Sequence, residues 1–393
     1  SLNRAMVDAP DDRLAECYSL RGYVYLKLED FKRAEADCSE AISRYWSEAQ
    51  TFAWRAAAHG EQDNWPSAFD DLAKACDNAG SKKDQYLQLM ESYIETASEY
   101  YRQQIVDGND SADLFYDRGW VYFQAGRKTK AERDFQHALA KQPNHGQAAL
   151  GMAGLKIETG KAEEALRLSE LVIKTSDSGD NETLKDALLI RTRANQILGD
   201  TRQVTKDLNQ LKTLAAADVP YLLEIGKLRL RLGENARTVS DMTALLKKAP
   251  EMHRALVVRG DAYLAIQNST LAINDYTKYL RYAPDSLTAR LHRGEAYLKT
   301  NQLDRAIADF DRSLEIDPVC GQAYLGRSRV FVAMNQLDQA LTECQKASRL
   351  DNQQAEVFGT LAEIYYKLCD YSRAIEEFVR AERLSTARSK KSH

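Results

Sequence analysis

The sequence predicts an all-α protein built from repeated pairs of amphipathic helices. Two observations carry this prediction: five residue types recur with a period of 34 residues, and short turn signals separate segments with helical apolar spacing. The recurrent positions are Pro250, Pro284 and Pro318; Gly226, Gly260 and Gly294; Ala272, Ala306, Ala340 and Ala374; Tyr263, Tyr297, Phe331 and Tyr365; and Asp275, Asp309, Glu343 and Glu377.

Within each repeat, a short turn joins the two helices, and a proline ends the second helix in several copies. The turn signals are Gly126-Arg127, Gly160-Lys161, Gly199-Asp200, Gly233-Glu234 and Asn301-Gln302. The glycine inside the first helix costs about 1 kcal/mol relative to alanine, so its recurrence predicts close packing. We expect Gly294 to face Ala306, twelve residues later, and Tyr297 to fill the gap between the helices.

Ten repeats are predicted, beginning near residues 15, 49, 112, 146, 185, 219, 253, 287, 321 and 355. The chain is divided as follows: 1–14, the tail of a preceding truncated repeat; 15–82, repeats 1 and 2; 83–111, an extra long helix and loop; 112–179, repeats 3 and 4; 185–388, repeats 5 to 10; and 389–393, a basic tail.

Two interruptions break the period. Residues 83–106 have helical apolar spacing and predict one extra long helix, which ends at Asp107-Gly108-Asn109. Thr175 to Asn181 contains a five-residue insertion rich in Ser, Asp and Gly, which predicts an exposed loop. The last helix is predicted from about Tyr371 to Leu384.

The pattern of residues within each repeat resembles the tetratricopeptide repeat family. The best copy comprises Phe115, Arg118, Gly119, Tyr122, Ala131, Phe135, Ala138 and Pro143, and another comprises Gly294, Tyr297, Ala306, Phe310 and Pro318. This resemblance implies a right-handed α-α superhelical solenoid of about ten helix pairs. It also implies a concave groove whose inner wall is built from the first helix of each repeat.

Composition and motifs exclude several other classes. Lys and Arg number 54 and Asp and Glu 58, so the net charge of -4 argues against nucleic-acid binding. The apolar runs are too short for a membrane span. The six cysteines lack metal-ligand spacing, which favours small buried or partly buried thiols in a reducing, cytoplasmic compartment. Because the enzyme motifs we considered are absent, we expect no catalytic residues, no metal and no cofactor.

The third repeat carries the strongest candidate partner-binding residues. Repeat positions 2, 5, 9 and 12 are expected to face the groove, and in this repeat they include Tyr116, Trp120 and Phe123. Tyr23 occupies the Trp120 position in the first repeat. Aromatic side chains often dominate binding energy at protein interfaces. The alternative is that these rings pack against the extra helix at 83–106.

A second candidate patch is basic and consists of Arg193, Lys227 and Arg231. Nearby repeats carry Asp261, His292 and Glu295, so a charged partner segment could be oriented along the groove. The alternative is that all of these are ordinary solvated charges.

The predicted function is that of a non-enzymatic scaffold, binding a partner peptide, helix or domain in the groove. Two alternatives remain open. The chain could be the regulatory or substrate-recruiting region of a larger multidomain enzyme, or it could be a self-assembling structural subunit that forms a homo-oligomer or larger complex.

Overall fold

The computed structural model describes residues 11–44, 48–79, 82–175, 181–216, 218–351 and 353–391, and in these ranges the chain forms helices joined by turns, without strands. The helices are α1 (Asp11–Lys27), α2 (Phe31–Ser43), α3 (Ala49–Gly60), α4 (Trp65–Asn78), α5 (Lys83–Val106), α6 (Ala112–Gln124), α7 (Lys128–Lys141), α8 (Gly146–Glu158), α9 (Ala162–Thr175), α10 (Asn181–Leu198), α11 (Thr201–Leu214), α12 (Val219–Arg231), α13 (Asn235–Lys248), α14 (Arg254–Ala265), α15 (Ser269–Tyr282), α16 (Leu287–Lys299), α17 (Leu303–Ile316), α18 (Gly321–Ala333), α19 (Leu337–Leu350), α20 (Ala355–Lys367) and α21 (Tyr371–Lys391).

These helices confirm the predicted fold class. Ten helix pairs and one unpaired helix, α5, account for the helices of the described ranges. Helix α5 spans Lys83–Val106, the segment in which the sequence predicted an extra helix. Its buried face, which includes Tyr86, Met90 and Tyr101, joins the apolar core of the α3–α4 pair.

The chain divides by its internal contacts into two compact units, and each is described by itself. The first unit comprises Ser1–Tyr221 and the second comprises Leu222–His393. The division into repeat segments stays a prediction.

In the second unit, Phe310 shows how consecutive helix pairs pack. Its side chain is 2% exposed. A Cβ atom added to Gly294 in the same pair would lie 2.8 Å from the Phe310 ring, and one added to Gly326 in the next pair would lie closer still. The ring therefore occupies the space that two glycines leave open.

The recurrent glycine meets the second helix of its pair: a Cβ atom added to Gly22 would lie 3.2 Å from the backbone oxygen of Ala34, twelve residues later. The atoms nearest to a Cβ at Gly294 belong to Phe310, four residues beyond Ala306. A buried ring requires such a gap between the helices, and glycine leaves it open. The same arrangement occurs in the first unit, where Gly119 and Gly151 leave space for Phe135.

The predicted turns are confirmed at the junctions within the pairs. Gly126, Gly160, Gly199, Gly233 and Asn301 have φ values of 71°, 75°, 81°, 74° and 57°. This left-handed conformation commonly ends a helix, and glycine adopts it without a steric penalty from a Cβ atom.

In six of the helix pairs, an Arg–Asp ion pair made of two hydrogen bonds joins the first helix to the second. In each, the Arg Nε and Nη2 atoms of the first helix donate to the two carboxylate oxygens of an Asp sixteen residues later, at distances between 2.6 and 2.9 Å. The pairs are Arg21–Asp37, Arg55–Asp71, Arg118–Asp134, Arg191–Asp207, Arg259–Asp275 and Arg293–Asp309. They explain two of the periodic acidic residues, Asp275 and Asp309, and Glu343 of the same series lies 3.4 Å from Arg327.

Some sequence predictions differ from the structure or fall outside it. Helix α21 continues through Lys391 rather than ending near Leu384. Cys369 is exposed, because it occupies the turn before α21 with a φ of 63°. Residues 1–10, residues 176–180 of the insertion predicted at Thr175 to Asn181, and residues 392–393 lie outside the described ranges.

Substitution of Gly326 by alanine tests the glycine–ring packing. We expect Gly326→Ala to lower the free energy of unfolding by about 1 to 2 kcal/mol, because the added methyl group overpacks the Phe310 ring. Gly359→Ala is the matched control, since nothing lies within 4 Å of a Cβ there and helix propensity favours alanine by up to about 1 kcal/mol. Urea denaturation followed by circular dichroism measures both. Equal stabilisation by the two substitutions would contradict the packing.

Candidate partner-binding surface

Helix α6 presents a stripe of aromatic side chains, which we call the α6 stripe: Tyr116, Trp120 and Phe123. Ser111 caps the helix by accepting a hydrogen bond from the Leu114 N–H at 3.2 Å. The ring centroids of Tyr116 and Trp120 lie 6.3 Å apart, and those of Trp120 and Phe123 lie 5.5 Å apart. All three side chains are half-buried, so part of each ring remains open to a partner.

The buried side of the α6 stripe rests on the next helices of the chain. The Phe135 ring of α7 lies 6.1 Å from Tyr116 and 6.5 Å from Phe123. Met152 and Leu155 of α8 complete this apolar cluster. The His145 ring, at the start of α8, lies 5.4 Å from that of Tyr116, and Ile105 of the extra helix α5 shares a further apolar cluster with Tyr116. This packing accounts for the partial burial of the rings.

Asp70 of helix α4 fixes the orientation of Trp120. The indole Nε1 donates to Asp70 Oδ1 at 2.6 Å, and Gln124 Nε2 donates to the same oxygen at 2.8 Å. Burial raises the pKa of Asp70, although these two hydrogen bonds oppose the shift. A tryptophan held in this way loses little side-chain entropy on binding a partner.

Carboxylates from three helices act electrostatically on the Tyr116 hydroxyl. Burial raises the pKa of Tyr116, and the charges of Asp70, Asp117 and Asp186 raise it further. These residues lie on α4, α6 and α10, respectively. The α6 stripe is therefore an aromatic surface in a negative field.

Asp117 is the most strongly perturbed of these acids. Burial, and then the charge of Asp113, raises the pKa of Asp117 to about 6, whereas His145 lowers it. His145 Nδ1 accepts a hydrogen bond from the Ala148 N–H at 3.1 Å, so its Nε2 atom donates to Asp113 at 3.0 Å. The two ring nitrogens of His145 are thus occupied by Ala148 and Asp113.

Tyr23 forms a separate aromatic spot in the first unit. Its ring stacks on Trp54 with centroids 4.6 Å apart, and Lys27 Nζ lies 5.5 Å from its centroid. These contacts join α1 to α3. They do not connect Tyr23 to the α6 stripe.

The predicted basic patch is distributed over both units. Arg193 lies on α10 in the first unit, whereas Lys227 and Arg231 lie on α12 in the second. Lys227 Nζ binds Glu224 at 2.6 Å, and Arg231 is exposed. The partner-binding role of these residues stays a prediction.

The acidic neighbours predicted beside that patch have partners within the second unit. Asp261 accepts a hydrogen bond from Tyr276 at 2.6 Å and lies 2.6 Å from His292 Nδ1. Burial lowers the pKa of His292, but the hydrogen bond and charge of Asp261 outweigh it and raise the pKa overall. Glu295 lies 3.7 Å from Arg329. Ion pairing therefore reduces the charge that these residues offer to a partner.

The sequence pattern identified neither Asp70 nor the pairing of the recurrent arginines with the aspartates sixteen residues later. Asp70 lies on a second helix, outside the positions expected to face the groove, and no pattern in the sequence connects it with Trp120. The arginines did leave a signal, because Arg259, Arg293 and Arg327 share the period of 34 residues.

Comparison with known proteins supports the class that this geometry defines. Tetratricopeptide repeat families match residues 15–45, 223–277 and 259–319. The family described as "Cilia and flagella-associated protein 70 middle TPR-like domain" matches residues 69–215, which include α5 and the α6 stripe. The chain belongs to the tetratricopeptide repeat family.

Several solved structures are similar to this chain. A tetratricopeptide repeat protein from Parabacteroides merdae is 19% identical over 61% of this chain and 93% of that chain, with a TM-score of 0.54. Yeast Tom70 is 14% identical over 94% of this chain and 85% of that chain, with a TM-score of 0.49. MamA from Desulfovibrio magneticus is 20% identical over 43% and 96%, with a TM-score of 0.38.

Two further findings hold for the residues that the structure describes. Within those ranges, no helix has the length and apolar character needed to cross a membrane. In the same part of the chain, no group of three or more His, Cys, Asp or Glu side chains is arranged to hold a metal ion.

Replacement of Asp117 by asparagine tests the negative field. The pKa of Asp117 in the folded chain lies above its value in the unfolded chain, so the folded state binds more protons than the unfolded state between about pH 4 and pH 6. The free energy of unfolding therefore falls as the pH rises through that window. We expect Asp117→Asn to stabilise the chain by about 1 kcal/mol at pH 7, after allowance for solvent screening, and not at pH 4.

Urea denaturation at pH 4 and pH 7 measures this difference. Glu163→Gln, at an exposed carboxylate on α9, controls for the loss of one negative charge. A destabilised Asp117→Asn protein at pH 7 would mean that the carboxylate has a stabilising partner.

Proposed function

We propose that this chain is a non-enzymatic scaffold whose α6 stripe binds a segment of a partner protein. The observation that carries the proposal is the half-exposed row Tyr116, Trp120 and Phe123, held from behind by Phe135 and by the hydrogen bond to Asp70. Rigid aromatic side chains with one open face provide large contact area at small entropic cost.

The fold supports this proposal in two ways. Helix-pair repeats build an extended surface from consecutive first helices, and such surfaces bind extended or helical segments. Tyr23, Arg193, Lys227 and Arg231 are proposed as further partner contacts, each within its own unit. The six free cysteines favour a reducing compartment, so we propose that the scaffold acts in the cytoplasm.

Selection of peptides on the immobilised chain tests the scaffold function. A random peptide library displayed on phage is selected on the wild type, and the enriched peptides are synthesised. We expect Tyr116→Ala combined with Trp120→Ala to weaken their binding by at least about tenfold, since aromatic anchors contribute about 2 kcal/mol or more each. Fluorescence anisotropy measures the affinities.

Two controls accompany this selection. Circular dichroism establishes that the double variant is folded. Tyr366→Ala removes an exposed aromatic side chain from α20, in the other compact unit, and is expected to leave binding unchanged. Enriched peptides that bind the folded double variant as tightly as the wild type would rule out the α6 stripe as the binding surface.

A second candidate function is self-assembly, and helix α21 favours it. Tyr371, Ile375 and Phe378 fall on one helical face and are exposed. Phe378 lies two periods after Phe310, yet it is 62% exposed whereas Phe310 is 2% exposed. Among the described residues, no helix covers this face. We propose that it packs against the same face of a second copy, as in an isologous dimer.

Sedimentation over a range of protein concentrations tests this association. We expect the wild type to increase in mass with concentration and Ile375→Glu combined with Phe378→Glu to remain monomeric, because two buried charges would face each other across the interface. Val319→Glu, at another exposed apolar residue, is the control. A wild type that stays monomeric at every concentration would contradict self-assembly.

A further inference from the structure

In the first unit, a lysine of the chain covers the ring of two tyrosines, Tyr23 and Tyr221, whereas no lysine or arginine covers the α6 stripe in the described residues. Lys27 lies over Tyr23, which occupies the same repeat position as Trp120. Lys185 lies 4.5 Å from the centroid of Tyr221, whose hydroxyl donates to Asp186 at 2.5 Å. In both cases a cation of the chain covers the ring.

The residue that would provide such a cation at Trp120 is not basic. Lys27 follows Tyr23 by four residues, and the residue four positions after Trp120 is Gln124. Its amide donates to Asp70 instead of covering the ring. Among the described contacts of Tyr116, Trp120 and Phe123, none is made with a Lys or Arg cation.

The charges beside the α6 stripe are also without a close cation. Asp70 receives hydrogen bonds from two neutral donors, Trp120 and Gln124. Within the part of the chain that the structure describes, no Lys, Arg or His nitrogen forms an ion pair with Asp70 or Asp117. Lys74 and His145 act on these two carboxylates only at longer range.

From the aromatic rings and the carboxylates together, we infer that the partner segment bound at the α6 stripe carries a Lys or Arg side chain. Its cationic group lies against the Trp120 ring, beside Asp70 and Asp117. This inference rests on the proposed scaffold function and specifies the chemistry of the partner.

Two attractive interactions combine at this position. A cation over a tryptophan face is attracted by the ring, and more strongly when water is excluded. The same cation neutralises half-buried carboxylates, whose charge is otherwise costly to desolvate. Charge matching of this kind also increases the rate of association and discriminates against acidic segments.

The position of Asp117 makes the binding dependent on pH. Three elements place titratable groups around Asp117: its own helix carries Asp113, α5 carries Tyr100 and Tyr101, and His145 precedes α8. Asp63, in the turn before α4, and Asp117 both raise the pKa values of the two tyrosines. A bound cation lowers the pKa of Asp117. Affinity for a cationic segment should therefore rise from pH 5 to pH 7, as this carboxylate ionises in the free protein.

Four synthetic peptides test the inference on the full chain. Each is a short fluorescein-labelled peptide of alternating leucine and a variable residue, which is arginine, lysine, citrulline or glutamate. Citrulline keeps the shape and hydrogen bonding of arginine without its charge. We expect the arginine and lysine peptides to bind about tenfold more tightly than the citrulline peptide, and the glutamate peptide to bind most weakly.

Asp117→Asn and Glu163→Gln form the matched pair of variants. Asp117→Asn should weaken binding of the arginine peptide about three- to tenfold, leave the citrulline peptide unchanged and remove the rise between pH 5 and pH 7. Glu163→Gln removes the same charge from an exposed site on α9 and should change neither peptide.

The outcomes separate failure of this inference from failure of the proposed function. Equal binding of the arginine and citrulline peptides, both weakened by Trp120→Ala, would overturn the inference and leave the scaffold surface intact. Equal loss of the arginine peptide in Asp117→Asn and Glu163→Gln would also overturn it, because attraction by net charge would then suffice. If Trp120→Ala changed no peptide, the scaffold surface itself would be wrong.

Discussion

The ion pair between the two helices of a repeat is the interaction on which the rest of the structure depends. Arg293 donates two hydrogen bonds to Asp309 and a third, from Nη1, to Thr277 of the preceding helix pair at 3.1 Å. Arg55 and Arg259 make the corresponding third bonds to Ser39 and Thr243. A buried carboxylate is costly unless it is fully paired, and the guanidinium fork has enough donors to pair it and still reach a second helix pair. One side chain thus fixes the register within a pair and between neighbouring pairs.

A scaffold held in this way can leave large aromatic side chains partly exposed on its first helices. The Arg118–Asp134 pair joins α6 to α7, and Phe135, the next residue along α7, supports Tyr116 and Phe123. Trp120 is oriented from the other side by Asp70. The α6 stripe is therefore part of the rigid packing and not a flexible addition to it. Such preorganisation lowers the entropic cost of binding a partner.

The same surface contains two carboxylates, Asp70 and Asp117, that form no ion pair with a cationic side chain of the described residues. Elsewhere, buried carboxylates such as Asp71 and Asp309 receive an arginine. Asp70 receives only neutral donors, and Asp117 titrates near pH 6 because burial and Asp113 oppose its charge. A protein core stabilises charge by pairing it. Two half-buried carboxylates without that pairing, beside three open rings, distinguish this surface from the structural ion pairs.

The sequence by itself determined the repeat. The period of 34 residues gave the ten helix pairs, the five turns examined above and the extra helix at Lys83–Val106, because helix and turn formation depend on residues close together in the chain. Repeat position also identified Tyr116, Trp120 and Phe123 as neighbours on one helical face. Tertiary structure decided which side chains meet across helices: the Phe310 ring lies against Gly294, and Trp120 binds Asp70, which lies fifty residues earlier. Such contacts depend on how helices pack in three dimensions, and a local pattern of residues carries no information about that packing.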